Sequence, residues 1–152
     1  MALSGYGVPD TGAYEQEAAD AQYRYNTDRA QNAYGRFLSQ QRGERSLSGL
    51  KTGFSQQLPG YKANFGQRGL SGGGVRSGSM QRSMGNYLGN YATNYGQAQN
   101  DLTQELQNYD LQGANMDAYY NNTLAAIEQR KQTEIANAAL GIEALRPFLG
   151  GI

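Results

Sequence analysis

Cysteine, histidine and tryptophan are absent from this chain. Without cysteine and histidine there is no disulfide, no thiol nucleophile, no thiolate or imidazole metal site, and no catalytic triad that uses either residue. We therefore expect a protein that is not an enzyme and that uses no cofactor and no metal ion.

Large aliphatic residues are also scarce. Only 38% of the 152 residues are hydrophobic by a count that includes 12 tyrosines, and the mean hydropathy is -0.73. Such a chain forms an apolar stripe more readily than a compact core, and a stripe usually needs a partner subunit to cover it. We expect a homo-oligomer.

The charges balance, with 13 Lys and Arg against 13 Asp and Glu, so no specific nucleic acid or charged substrate is indicated. Residues 1–10 lack the basic and apolar regions of a signal peptide, and no run approaches the roughly 20 apolar residues that span a bilayer. We expect synthesis in the cytoplasm without a standard export signal.

Periodicity and capping signals indicate two long helices. After a lead at residues 1–10, Asp10 or Thr11 can cap a first helical segment at 11–65. One face of this segment is predicted to hold Tyr23, Thr27, Ala30, Tyr34 and Phe37, and further along a second series holds Leu47, Leu50, Phe54, Leu58, Tyr61 and Phe65. Pro59 removes a helical donor and predicts a kink or break there.

The second helical segment, at 80–147, has the clearest pattern. Its apolar positions follow steps of mainly four, four and three residues, so that Tyr87, Ala98, Tyr109, Tyr120, Lys131 and Ile142 recur every 11 residues. This period favours straight or slightly right-handed packing over a left-handed heptad coiled coil. The stripe comprises Tyr87, Tyr91, Tyr95, Ala98, Leu102, Leu106, Tyr109, Gly113, Met116, Tyr120, Leu124, Ile127, Lys131, Ile135, Ala138 and Ile142. Pro147 is predicted to end the helix before an apolar tail at 148–152.

A glycine-rich hinge at 66–79 separates the two segments, with Gly69, Gly72, Gly73, Gly74 and Gly78 as its glycines of interest. The predicted fold is therefore all-α, an extended helical hairpin that assembles as an oligomer. An antiparallel hairpin centred on residue 69 would place Gly53 opposite Gly85 and Gly49 opposite Gly89, with Gly43 near Gly96. Because glycine is costly inside a helix, these pairs predict close backbone approach. The predicted helix–helix contacts are Gly49, Gly53, Gly85, Gly89, Tyr87, Tyr91, Leu102, Tyr109, Tyr120 and Ile127.

Other patterns have simpler structural interpretations. The segment at 72–78 resembles a phosphate-binding loop, but no Gly-Lys-Ser/Thr follows and no strand precedes it, so a turn is favoured. The tyrosine stripe could stack on sugars or bases, but its helical spacing favours an interhelical seam. Acidic residues of the second segment have no catalytic spacing, and we expect them to be solvated or paired with arginine. The apolar stretch 135–145 favours subunit packing over membrane insertion.

The hinge from Arg68 to Gly78, followed by Gln81-Arg82 at the start of a second long helix, resembles that of small virion proteins of tailed bacteriophages. The small internal, or ejection, proteins of short-tailed phages have a similar plan of helix, Gly/Ser hinge and helix. The resemblance implies a multi-copy virion component in the head or tail that can leave with the DNA. It also implies contacts with portal or tail proteins, and with a membrane only after ejection. No catalytic residue carries over.

Two functions from different classes remain open, whereas an enzyme is nearly excluded because the chain lacks histidine, cysteine and any organised pair of acidic residues. The first is a non-enzymatic phage structural protein localised to the virion. The second is a secreted helical-hairpin partner of a specialised bacterial secretion system, a family marked by a Trp-x-Gly turn, for which this chain has no tryptophan.

Overall fold

The computed structural model describes residues 11–67 and 78–149. They form two α-helices, α1 at Gly12–Gln67 and α2 at Gly78–Leu149, which pack against each other as a helical hairpin. The all-α prediction is confirmed. Gly69, Gly72, Gly73 and Gly74 of the predicted hinge lie outside the described residues, and so do residues 1–10.

Helix α1 begins directly after Thr11, whose carbonyl oxygen accepts a hydrogen bond from the amide of Glu15 at 3.2 Å. This is the bond expected of an N-cap residue, and Glu15 adds a negative charge in the first turn, where the helix dipole favours it. Of the two predicted cap residues, the structure therefore places Thr11 in the cap position.

Of the predicted kink or break at Pro59, the break is wrong, because α1 is continuous through this residue to Gln67; the kink stays a prediction. Pro59 and Ser55 are both exposed, so water can hydrate the Ser55 carbonyl that loses its amide donor. Beyond the proline, the ring of Tyr61 stacks on Tyr87 of α2. This contact offsets the lost backbone hydrogen bond.

Both helices extend past the predicted hinge boundaries. Gly66 and Gln67 still belong to α1, and Gly78 is the first residue of α2 and not part of the loop. Helix α2 also runs to Leu149, beyond Pro147, which was predicted to end it. A proline in the last turn removes a single backbone bond close to a terminus, where helices fray in any case.

The chain divides into two compact units. The terminal unit comprises Met1–Asn32 and Leu111–Ile152, and the central unit comprises Ala33–Asp110. Each unit contains a piece of α1 against a piece of α2. Tyr25 stacks on Tyr120 in the terminal unit, and Phe54 stacks on Tyr91 in the central unit. Both pairs of residue numbers sum to 145, so the same antiparallel register holds in each unit.

The interior between the helices is small. Apart from Gly113, the buried residues of the described ranges are Ile127, at 4% exposure, and Ser39, at 3%. The predicted stripe of α2 nevertheless faces inward, since each of its members from Tyr87 to Lys131 is at least partly shielded from solvent. The helices are thus joined along a narrow seam and not around an apolar core.

Candidate functional site: the interhelical seam

In the terminal unit, a tyrosine stack and an ion pair share one carboxylate. The rings of Tyr25 and Tyr120 lie 4.4 Å apart, nearly parallel at 14°. The Tyr25 hydroxyl donates to Oδ1 of Asp117 at 2.7 Å, and Nε of Arg29 lies 3.3 Å from the same oxygen. The hydrogen bond to Asp117, followed by burial, raises the pKa of Tyr25 above the ordinary tyrosine value, while Arg29 opposes this shift.

Nearer the chain termini, charged and phenolic side chains of the two helices bind each other across the seam. Nη2 of Arg130 donates to Oε1 of Glu17 at 2.6 Å, and this carboxylate raises the pKa of Arg130. A hydrogen bond to Glu134 raises the pKa of the Tyr14 hydroxyl. The charged groups among them are exposed, so the bonds specify which residues face each other more than they stabilise the fold.

In the central unit, large side chains of α2 lie against glycines of α1. A Cβ atom added at Gly35 would lie 2.8 Å from Cε1 of Tyr109, and one added at Gly43 would lie 2.7 Å from Cδ2 of Leu102. Both distances are too short for a real side chain. The two glycines therefore act as sockets that let Tyr109 and Leu102 approach the α1 backbone.

In the terminal unit, Gly113 of α2 lies under a side chain of α1. A Cβ atom at Gly113 would lie 2.6 Å from Nη1 of Arg29, the far end of a flexible side chain that can move aside. The guanidinium of Arg29 lies there beside Asp117. One turn further along α1, the amide of Asn32 donates to the side chain of Gln112 at 3.3 Å.

An aromatic cluster occupies the other part of the central unit. Phe54 stacks on Tyr91 at 4.0 Å and on Tyr87 at 5.4 Å, and Tyr61 stacks on Tyr87 at 4.5 Å. The Tyr61 hydroxyl lies 2.5 Å from Oγ of Ser83 and donates to its carbonyl at 3.2 Å. Within the described residues the buried hydroxyl of Tyr87 has no hydrogen-bond partner.

Between the sockets, polar pairs cross the central seam. The buried Ser39 hydroxyl donates to Glu105 at 2.7 Å, and Nε of Arg36 donates to Asp110 at 2.8 Å. As expected, carboxylates of α2 are paired with arginine, here Asp110 with Arg36 and, in the terminal unit, Asp117 with Arg29. Such pairs hold one register of two polar helices, because sliding one helix would leave Ser39 buried without its acceptor.

The predicted glycine register is wrong. A Cβ atom added at Gly49, Gly53, Gly85 or Gly89 would meet nothing within 4 Å, and the same is true of Gly96. In the observed register the numbers of facing residues, such as Gly43 and Leu102, sum to 145 and not 138. The physical reason is that close approach here fits a large side chain onto a glycine, as Leu102 fits onto Gly43, and does not bring glycine onto glycine.

The remaining predicted contact residues do lie in the seam. Tyr87 and Tyr91 stack on Phe54, Leu102 and Tyr109 fill glycine sockets, Tyr120 stacks on Tyr25, and Ile127 is buried. The sequence-based reasoning missed Gly35 as a socket and Ser39 as a buried donor. A signal for the inner face of α1 existed, because Tyr14, Tyr25, Arg36, Leu47 and Leu58 also recur every 11 residues, and all are partly shielded.

The predicted face of the first half of α1 is directed away from α2. Tyr23, Thr27, Ala30, Tyr34 and Phe37 are all exposed, with exposed fractions of 74% for Tyr23, 64% for Tyr34 and 53% for Phe37. At about 100° per residue, Tyr23 and Tyr34 lie about 160° around the helix from Tyr25 and Arg36 of the inner face, and Phe37 lies about 100° from Arg36. Large aromatic side chains are therefore presented to solvent in each unit.

Two grooves run beside the seam. In the terminal unit a groove of about 590 Å³ is lined by Glu17, Asp20, Ala21, Arg24, Tyr25, Asp28, Met116, Tyr119, Tyr120 and Thr123. In the central unit a groove of about 610 Å³ is lined by Ser46, Gly49, Leu50, Gly53, Phe54, Gln57, Tyr87, Asn90, Tyr91 and Asn94. Gly49 and Gly53, which were predicted to form a helix–helix contact, thus line this groove instead.

Within residues 11–67 and 78–149, no group of acidic side chains is placed to hold a metal ion. No stretch of the described helices combines the length and the apolar character needed to cross a bilayer. No family model, curated protein or solved structure matches this chain. The chemistry of the seam and of its outward faces is that of helix association.

Proposed function

We propose that this chain is a non-enzymatic structural protein of a bacteriophage virion, present in many copies inside the particle or at its tail end. The observation that carries the proposal is the outward display of aromatic side chains beside a seam with so little buried apolar surface. Tyr34 and Phe37 of the central unit and Tyr23 and Tyr119 of the terminal unit are more than half exposed. Such surfaces are typical of subunits that complete their packing on neighbours.

The seam supports the same proposal. It fixes the register with directional pairs such as Ser39 to Glu105 and Tyr25 to Asp117. It leaves the outer faces of both helices available to other subunits. A two-helix element with exposed outer faces suits a ring or bundle of repeated hairpins. The link to virions comes from the resemblance of residues 68–78 and of the helix, hinge and helix plan to small phage internal proteins.

The experiment is quantitative mass spectrometry of purified virions before and after DNA release, with the major capsid protein as the internal standard of copy number. We expect the chain at many copies per particle and, if it leaves with the DNA, a depletion in emptied particles. Absence from particles would overturn the proposal. Recovery from the culture medium of uninfected cells would favour a secreted helical-hairpin protein instead.

A further inference from the structure

The chain as a whole has no net charge, but its two units carry opposite net charges. Residues 1–32 and 111–152, which form the terminal unit, contain nine Asp and Glu against five Lys and Arg, a net charge of −4. Residues 33–110, which form the central unit, contain four against eight, a net charge of +4. Because the two units carry opposite net charges, the terminal unit of one copy attracts the central unit of another copy. This attraction also steers their encounter.

The groove of the terminal unit is suited to a cationic side chain. Glu17 is already bound by Arg130, but Asp20 and Asp28 are exposed and form no ion pair within the described residues, and they outnumber Arg24. Three tyrosines add aromatic rings to the lining, among them Tyr119 at 76% exposure. Carboxylates beside aromatic faces suit a guanidinium, which combines forked hydrogen bonds with stacking.

The central unit contains two arginines that fit this description. Of the arginines the structure describes there, Arg36 is bound to Asp110, and Arg82 donates to the Gly78 carbonyl. Arg42 and Arg45 are exposed and form no ion pair within residues 11–67 and 78–149. They lie within one turn of each other on α1, so both can meet the same surface.

We propose that Arg42 and Arg45 of one copy bind in the Asp20, Asp28 and Tyr119 groove of a second copy. This inference rests on the proposed function only in requiring self-association, and it names the surfaces through which copies meet. A second copy is the favoured occupant because the chain itself carries the complementary charge. Each copy offers both the groove and the arginine pair, so each copy can donate the contact and receive it.

The test is a charge-reversal experiment on the full chain, followed by sedimentation equilibrium at low and at high salt. Arg42→Glu with Arg45→Glu, and separately Asp20→Lys with Asp28→Lys, should each weaken self-association at least about tenfold at low salt. An equimolar mixture of the two variants should associate nearly as tightly as the unmodified chain, since each then offers what the other lacks.

The matched control is Lys51→Glu with Lys62→Glu, which makes the same change of net charge at exposed lysines of the central unit. Measured at physiological salt, it should weaken association much less, by less than about threefold, because the effect of a distant charge is screened there beyond a Debye length of about 8 Å. Circular dichroism should show unchanged helicity for all variants, since none of the replaced side chains forms an ion pair across the seam.

Failure of the mixture to associate, or an equal effect of the lysine control, would overturn the pairing. Self-association of the unmodified chain that does not weaken with salt would overturn it as well. These outcomes are independent of whether the chain occurs in virions, which mass spectrometry of particles measures separately.

Discussion

The ring of Tyr109 occupies the space that a side chain at Gly35 would need, with Cε1 only 2.8 Å from the position of an added Cβ atom. Leu102 and Gly43 repeat this relationship two turns further along α1. Only one alignment of the two helices places Tyr109 on Gly35 and Leu102 on Gly43. The two sockets therefore fix the register of the central unit. A shift of either helix by one turn would bring side chains against backbone.

Filling a socket should therefore destabilise the fold. Gly43→Ala would place Cβ within 2.8 Å of both Cγ and Cδ2 of Leu102, an overpacking cost of about 1 to 3 kcal/mol. This exceeds the gain of up to about 1 kcal/mol that alanine brings inside a helix. Gly49→Ala on the same helix is the matched control, since nothing lies within 4 Å of its Cβ position, and it should stabilise the protein. Urea unfolding followed by circular dichroism measures both; equal effects would contradict the socket.

The hydrogen bond from Tyr25 to Asp117 predicts a loss of stability at high pH. The raised pKa of Tyr25 means that its contribution is complete below the unfolded value of about 10 and is lost as pH rises through the folded pKa. Tyr14, whose pKa is raised by Glu134, adds in the same direction. Tyr25→Phe should be less stable than the unmodified chain at neutral pH, and the difference should disappear in alkali.

The control for that experiment is Tyr119→Phe, which removes a hydroxyl from a side chain that is 76% exposed. Its stability should follow that of the unmodified chain across the alkaline range. Thermal melts at several pH values, with tyrosinate absorbance recorded in parallel, supply the measurement. A difference between Tyr25→Phe and the unmodified chain that does not change with pH would exclude the linkage.

Ser39 provides a test of the polar seam. Its buried hydroxyl donates a hydrogen bond to Glu105. Ser39→Ala should therefore lower the free energy of unfolding by on the order of 1 kcal/mol. This loss is near the lower end for hydrogen bonds to charged groups, because Glu105 is exposed and water can hydrate it in the variant. Ser48→Ala, at an exposed position of α1, is the control and should change little. Guanidinium unfolding curves compare the two, and a neutral effect at Ser39 would mean that the bond serves no stabilising role.

The outward aromatic face should matter for association and not for the hairpin. Replacing Tyr34 and Phe37 by serine removes exposed rings, so the melting of the dilute chain should be unchanged while its self-association weakens. Phe54→Ser, by contrast, removes the ring that stacks on Tyr87 and Tyr91 and should lower the melting temperature. Sedimentation velocity and circular dichroism separate the two effects.

The same reasoning applies to the isolated chain. With Ile127 as the buried apolar side chain of the described ranges, a single hairpin should be helical but only marginally stable, and its melting temperature should rise with protein concentration. A compact monomer that melts cooperatively at micromolar concentration, independent of dilution, would contradict this expectation.

Helix formation and the inner face of α2 could be predicted from sequence, because a face requires only the spacing of residues along one helix. The 11-residue recurrence from Tyr87 to Lys131 is such a local signal, and each of these positions is shielded as expected. The cap at Thr11 is likewise a property of a few adjacent residues. In the first half of α1 the spacing identified the outer face through Tyr23 and not the inner one, since aromatic residues at helical spacing occur on two faces, one through Tyr25 and another through Tyr23.

The register, the inward face of α1 and the identity of the sockets were decided only by the tertiary structure. They depend on how well volumes fit between residues far apart in the chain, such as Tyr109 against Gly35, and on which donors reach which acceptors across the seam. Glycine frequency along the sequence contains no information about these fits, because an open glycine such as Gly53 and a filled one such as Gly43 are the same residue until a partner side chain is placed beside them.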